Sequence, residues 1–253
     1  MGHMPSPTSS PTVETKGGSA TLGAMRRTGR PTARGWFITV DGPDGGGKTT
    51  QAERIRAHLE RLDIAAIVTR EPGGTWLGER IREVLLARTG SGARTDALTD
   101  ALLFNAARRQ LVREVIRPAL ERGTSVVCAR FADSTIAYQG FGGGVSLDRL
   151  RELEAVATDG LRPDLTILLD VPVDVGLGRK APGDVTRFEA EFDLAFHQRV
   201  REGFLELART EPGRFAIVDA TRGIDAVAAE ATAEIDRRLL ASEPRPPAIR
   251  TQI

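Results

Sequence analysis

Trp36-Phe37-Ile38-Thr39-Val40-Asp41-Gly42-Pro43-Asp44-Gly45-Gly46-Gly47-Lys48-Thr49-Thr50-Gln51 is the stretch that decides the fold. Gly42 to Thr49 fits G-x-x-x-x-G-K-[ST]. The apolar run before it and the helix-permissive Thr50-Gln51-Ala52-Glu53-Arg54-Ile55 after it supply the strand-to-helix setting that a phosphate-binding P-loop needs. Glycines let the backbone wrap close to phosphates with successive N–H groups pointing inward, Lys48 adds a mobile positive charge, and the Thr49 hydroxyl can ligate Mg2+. Gly42, Pro43, Asp44, Gly45, Gly46, Gly47, Lys48, Thr49 and Thr50 are the candidate nucleotide ligands, with Thr49 the candidate metal ligand.

Outward from that loop, strand-like runs at 36–40, 65–69, 125–129, 165–169 and 215–218 alternate with segments of helical periodicity. The alternation predicts an α/β, three-layer, doubly wound fold of P-loop NTPase type, with a parallel sheet covered on both faces. Ligands of such sheets bind at the carboxyl ends of the strands, so the segments after each run carry the functional information.

The 253 residues, 40% of them apolar, suit one α/β domain. A formal charge of +1 gives no bulk electrostatic reason to expect nucleic acid or a membrane surface as partner. Cys128 has no partner for an internal disulfide, and no stretch reads as a bilayer span or a secretory core, which points to a reducing, cytoplasmic setting. Residues 1–34 read as a tag remnant at Met1 to Met4 followed by a disordered, low-complexity tail. The domain is expected over 35–241, and Glu243-Pro244-Arg245-Pro246-Pro247 ends the last helix and opens a Pro-rich tail over 242–253. His58 and His197 lack metal-ligand spacing.

A P-loop alone does not separate kinases from GTPases or motors. The fourth strand is followed by no N-K-x-D base-reading motif, which argues against a GTPase. Two other strand ends are richer. Thr69-Arg70-Glu71-Pro72-Gly73-Gly74-Thr75 follows the second strand. Ala129-Arg130-Phe131-Ala132-Asp133-Ser134-Thr135-Ile136-Ala137-Tyr138-Gln139-Gly140 follows the third, and Leu102 to Gln110 lies between them.

Together these segments resemble the thymidylate kinase family, over nearly all of 35–241: T-R-E-P-G-G-T and S-[ST]-x-A-Y-Q-G are its most specific pieces. The resemblance implies a nucleoside monophosphate kinase that phosphorylates dTMP with ATP and Mg2+, acts without a protein nucleophile, and forms a homodimer through helices near 98–120 and 148–157. It implies that Phe104 stacks on the thymine, that Arg108 reads the base with Thr135 and Gln139 beside it, and that Tyr138 packs under the deoxyribose and disfavours a 2'-hydroxyl. It implies too that Arg70 and Arg130 face the acceptor phosphate, that Ser134 shares that pocket, and that Asp44 approaches the substrate sugar and phosphate. The segment at about 178–189 resembles the family's mobile lid. Because the P-loop has Gly46 and no arginine, the resemblance assigns the catalytic cation to the lid, among Arg179, Lys180 and Arg187, with Arg179 the first choice. Lys48, Arg130 and Arg179 are thus the expected catalytic residues.

The chain departs from the family at one consequential point: D-R-[YF] becomes Ala129-Arg130-Phe131. The missing aspartate resembles the Walker B acid that holds Mg2+ directly or through water. The expectation is a slowed kinase, with Asp41, Asp44 and Glu71 as candidate compensating acids. Two alternatives stand beside it: a catalytically weak nucleotide-binding homologue, and a kinase for a modified pyrimidine nucleotide. Ala107, Thr186 and Trp76 are lesser departures.

Overall fold

The computed structural model describes residues 34–88, 95–181, 183 and 185–239. Within them, strands β1 (Phe37–Asp41), β2 (Ala66–Arg70), β3 (Ser125–Ala129), β4 (Leu165–Asp170) and β5 (Phe215–Asp219) form a parallel sheet in the order β2-β3-β1-β4-β5. The expected doubly wound architecture is present. The P-loop leaves β1, the central strand, and leads into α1 (Lys48–Arg61).

Apart from β3, each strand runs one residue past its expected end. The apolar run predicts where a strand is buried, whereas the ladder decides where it ends: Asp41 pairs with Leu168 and Asp170 with Asp219. Polar residues are thereby carried to the carboxyl edge, where a ligand would meet them.

Alternation along the strands sorts the sheet into two faces. Ile38, Val40, Val127, Ala129, Ile167 and Leu169 pack with Ala52, Ile55 and Leu59 of α1 and with Val227, Ala231 and Ile235 of α10 (Ile224–Leu239). On the other face, Phe37, Val126 and Cys128 pack under Leu111, Val112 and Ile116. There α3 (Ala97–Leu111) runs through a π-helical turn at Val112–Ile116 into α4 (Arg117–Glu121). Pro118 has no N–H to give to residue 114, one reason the helix widens there.

The same face carries α2 (Trp76–Leu86), α5 (Ala132–Thr135), α6 (Leu147–Thr158) and α9 (Leu194–Thr210). A second π-helical turn, Ile136–Gly142, continues α5 and nestles against α9. Near the P-loop lie α7 (Val173–Gly178) and α8 (Arg187–Glu191). Among the described residues no helix is long and apolar enough to cross a membrane. Of the expected tails only Arg34 is described; it donates to Asp164 (2.7 Å) and so belongs to the fold.

Candidate active site

The P-loop follows from local chemistry. Gly45 has φ 75°, and a Cβ there would lie 1.8 Å from the Gly176 carbonyl of α7, so only glycine fits. Gly47, φ 84°, reverses the chain into α1, whose first turn leaves Thr49 and Thr50 exposed with their N–H groups at the positive end of the helix. Lys48 folds its ammonium back onto the carbonyls of Gly42 (3.0 Å) and Pro43 (2.6 Å). Burial first, then the neighbouring Arg130 guanidinium, lower its pKa to about 7.

Beside the loop lies a cavity of about 130 Å3. Asp44 joins the two: it belongs to the P-loop and lines the cavity. Its carboxylate is ion-paired to Arg130 and accepts from the Tyr138 hydroxyl (2.6 Å). Burial alone would raise its pKa, but Arg130, Lys48 and that hydrogen bond reverse the effect and hold it at about 2. Arg130 takes the left-handed conformation, φ 70°, at the end of β3, and its guanidinium lies 5.0 Å over the Tyr138 ring. It also donates to Ser134 Oγ (3.2 Å), and Ser134 donates to Asp41 Oδ1 (2.5 Å). Burial, helped by Asp133, raises the Asp41 pKa to about 6.

Arg108 forms the floor at the other end, 1% exposed. Its Nε donates to Glu71 (2.9 Å), NH1 to Asn105 (2.9 Å) and NH2 to Thr135 (3.0 Å) and the Phe131 carbonyl (3.2 Å). Burial pushes the Glu71 pKa up to about 7 against the pull of Arg108. Phe104, Gln139 and Phe188 complete this end, with the Phe104 and Phe188 rings 6.1 Å apart. The arrangement offers an aromatic face, a fixed guanidinium and an amide at one end, and a cationic cluster next to phosphate-binding backbone at the other.

Most of the residues expected from sequence therefore converge: Asp44, Phe104, Arg108, Arg130, Ser134, Thr135, Tyr138 and Gln139 all line the cavity. Two do not. Arg70 stands outside it, half-exposed, bonded to both oxygens of Glu79 (3.0 and 3.1 Å). The basic residue of that region lining the cavity is Arg82, which also donates to the Pro72 carbonyl (2.9 Å). Arg179 caps the end of α7 with its guanidinium on the carbonyls of Ala220 (2.7 Å) and Thr221 (3.1 Å), away from the cavity. Of the lining residues, Arg82 and Leu86 escaped sequence reading, and Phe188 and Glu189 were met only as the end of the lid segment. Only Phe188 and Glu189 carried a signal, as neighbours of the basic Arg187.

The metal that this fold implies finds a partial donor set. Thr49 offers an exposed hydroxyl at the first turn of α1. Ala129 faces that layer, packed with Val40 and Ala52, so the strand-end position aimed at α1 carries a methyl group where a carboxylate would serve. Asp41, one residue past Val40, points to the opposite face, where Ser134 holds it and its Oδ2 is buried without a partner. Among the described residues, no group of three or more His, Cys, Asp or Glu side chains could hold a metal ion.

A P-loop on the central strand of a parallel sheet, sharing Asp44 with a pocket that ends in an aromatic and guanidinium floor, defines a two-substrate phosphotransferase of the nucleoside monophosphate kinase class. A sequence model of the family described as "Thymidylate kinase" matches residues 40–231, and the chain belongs to that family. It is similar to a thymidylate kinase of Deinococcus radiodurans, 52% identical over 207 residues covering 81% of this chain and 98% of the relative. One from Thermomicrobium roseum is 54% identical over 195 residues, 76% of this chain and 90% of the relative. Among solved structures, the thymidylate kinase of Ehrlichia chaffeensis superposes with a TM-score of 0.64 at 33% identity, covering 80% of this chain and 99% of that one.

Proposed function

We propose that this member of the thymidylate kinase family phosphorylates dTMP to dTDP with ATP, the thymidine nucleotide lying in the cavity and the ATP phosphates in the P-loop. The observation that carries this assignment is the Asp44, Arg130 and Tyr138 cluster, which spans the boundary between loop and cavity. Phosphoryl transfer of this kind is chiefly positioning and electrostatics, and the side chains present suit that task.

Phe104 stacks on the base and Arg108, immobilised by Glu71 and Asn105, reads it, with Thr135 and Gln139 beside it. Tyr138 supports the sugar and Arg130 holds the acceptor phosphate with Ser134. Lys48 moves from the carbonyls of Gly42 and Pro43 onto the ATP phosphates, which recharge it. Thr49 would hold Mg2+ through its hydroxyl, and the ion would neutralise phosphate charge. Lacking an acid on the α1 face, the chain works more slowly than relatives that have one.

A second copy covers the exposed apolar residues Val84 of α2, Leu102 of α3 and Val156 of α6, giving a homodimer in the cytoplasm. Light scattering checks the mass. A coupled assay for ADP release with dTMP tests the function. Saturable binding of both nucleotides without turnover refutes it in favour of a binding homologue, and a 5-substituted analogue exceeding dTMP in kcat/KM refutes the substrate.

A further inference from the structure

Asp41 and Glu71 each keep one buried carboxylate oxygen without a partner, and of the two Glu71 lines the cavity. Its backbone N–H donates to the Ala129 carbonyl (3.0 Å), which continues the ladder between β2 and β3 and fixes where the side chain starts. Oε2 accepts from Arg108 Nε (2.9 Å) and NH2 (2.8 Å), while Oε1 meets no donor. A buried oxygen left bare is costly, so a ligand that bonds to it is favoured. Arg108 is nearly spent. One N–H from Nε, one from NH1 and both from NH2 go to Glu71, Asn105, Thr135 and the Phe131 carbonyl, which leaves one N–H on NH1 for a base. A 4-oxo pyrimidine presents an oxygen with two lone pairs, of which that donor fills one. Arg187, 3% exposed, bonds the Leu85 carbonyl (2.9 Å), Thr95 (2.5 Å) and Asp100 (2.8 Å) and so holds Phe188 near Phe104, which limits how far a base can slide from this floor.

We infer that Glu71 is a specificity-determining residue for the base: as a neutral carboxylic acid it donates from its free oxygen to the second lone pair of the 4-oxygen of dTMP. The inference rests on the dTMP kinase reading. Its proton comes from solvent and stays on the carboxyl group. Burial pushes the Glu71 pKa up to about 7; Arg108 of α3 pulls it down, and Asp41 of β1 and Glu154 of α6 push it further up. The Cys128 thiol of β3, raised by burial and then by Glu71, stays neutral beside it, and Arg82 and Arg130 line the same cavity. Once ionised, Glu71 sets a negative oxygen against the 4-oxygen of thymine but accepts from the 4-amino group of cytosine. The choice between the two bases therefore depends on pH. Binding of dTMP needs the neutral form, whose fraction falls as pH rises through 7, so dTMP weakens relative to dCMP in that direction.

The test measures Kd for dTMP and for dCMP by titration calorimetry between about pH 6.5 and 8.5, in the wild type and in E71Q. The ratio of the two constants is the readout, because Lys48, Asp44 and the nucleotide's own phosphate act on both ligands and cancel. In the wild type the ratio is expected to move about 10- to 30-fold against dTMP across that range. In E71Q the amide keeps an acceptor for Arg108 and a permanent donor for the base, so the ratio should stay within about twofold at every pH, with Kd for dTMP at pH 6.5 within about fivefold of wild type. The proposal is overturned if the wild-type ratio is flat, which would leave Glu71 a clamp for Arg108 and nothing more. It is overturned too if the ratio moves in favour of dTMP, or if E71Q follows the wild type. Should E71Q fail to fold, the wild-type series decides alone. Absence of ADP release with dTMP at pH 6.5 would refute the underlying reading instead.

Discussion

Replacing Ala129 by aspartate puts a carboxylate on the face of β3 that looks toward the first turn of α1. Ala129 is 4% exposed and packs with Val40 and Ala52, so without a metal the new carboxylate is buried with little to bond to. Protonated in the absence of metal, such a group costs about 1 to 3 kcal/mol, and more if it stays charged. In a domain of this size each kcal/mol lowers Tm by about 2 to 4 °C, so the ligand-free variant should melt roughly 2 to 12 °C below the wild type. With Mg-ATP bound the sign reverses: the carboxylate gains a cation at Thr49, and the Tm rise on adding Mg-ATP should exceed that of the wild type. If a missing electrostatic partner is what slows the chain, restoring it returns about 2 to 4 kcal/mol of transition-state stabilisation, a kcat gain of about 10²- to 10³-fold. The assay is ADP release at saturating ATP and dTMP, with Ala129→Asn as the uncharged control of equal shape. A folded Ala129→Asp protein whose kcat is unchanged or lower would refute the reasoning.

Tyr138→Phe removes the hydroxyl that donates to Asp44 at 2.6 Å, while the ring stays packed near Phe188, Phe196 and Phe204. A hydrogen bond to a charged group contributes about 1.5 to 3 kcal/mol, so kcat/KM for dTMP should fall roughly 10- to 100-fold, and a fall of less than twofold would count against the role of Asp44. Lys48 supplies a pH prediction: its pKa is lowered from 10.5 to about 7, so the folded protein binds fewer protons than the unfolded chain and this residue's contribution to stability rises with pH between those values. ATP binding recharges it, so calorimetry at pH 8 in buffers of different ionisation heat should show uptake of about 0.9 proton. Lys48→Met should abolish that uptake, and equal uptake in the variant would sink the assignment.

Much of this was legible in the sequence because the chemistry is local. Gly42 to Thr49 encodes its own loop, since left-handed glycines, a lysine and a helix start follow one another within a single turn. Residues 134–140 likewise fall on one continuous segment, so the family motif they resemble carried Ser134, Thr135, Tyr138 and Gln139 into one pocket together. Arg179 and Arg70 were not legible, because where a long side chain goes depends on acceptors distant in the chain: the carbonyls of Ala220 and Thr221 for one, the carboxylate of Glu79 on α2 for the other. Arg82 was hidden for the same reason, and its target is the Pro72 carbonyl. The face on which Ala129 lies follows from strand alternation, but its consequence, that Asp41 is on the wrong side to replace a lost acid, needed the packing partners of both strands.

The buried Arg187 has a consequence for how the nucleotide is received. By bonding the Leu85 carbonyl, Thr95 and Asp100 at once, it fastens the start of α8 to the end of α2 and the entry to α3. Phe188 and Phe104, one residue beyond that tie and one helical turn along α3, therefore have their positions set before any base arrives. The aromatic end of the pocket is preorganised, so little of the base's stacking energy is lost to ordering side chains.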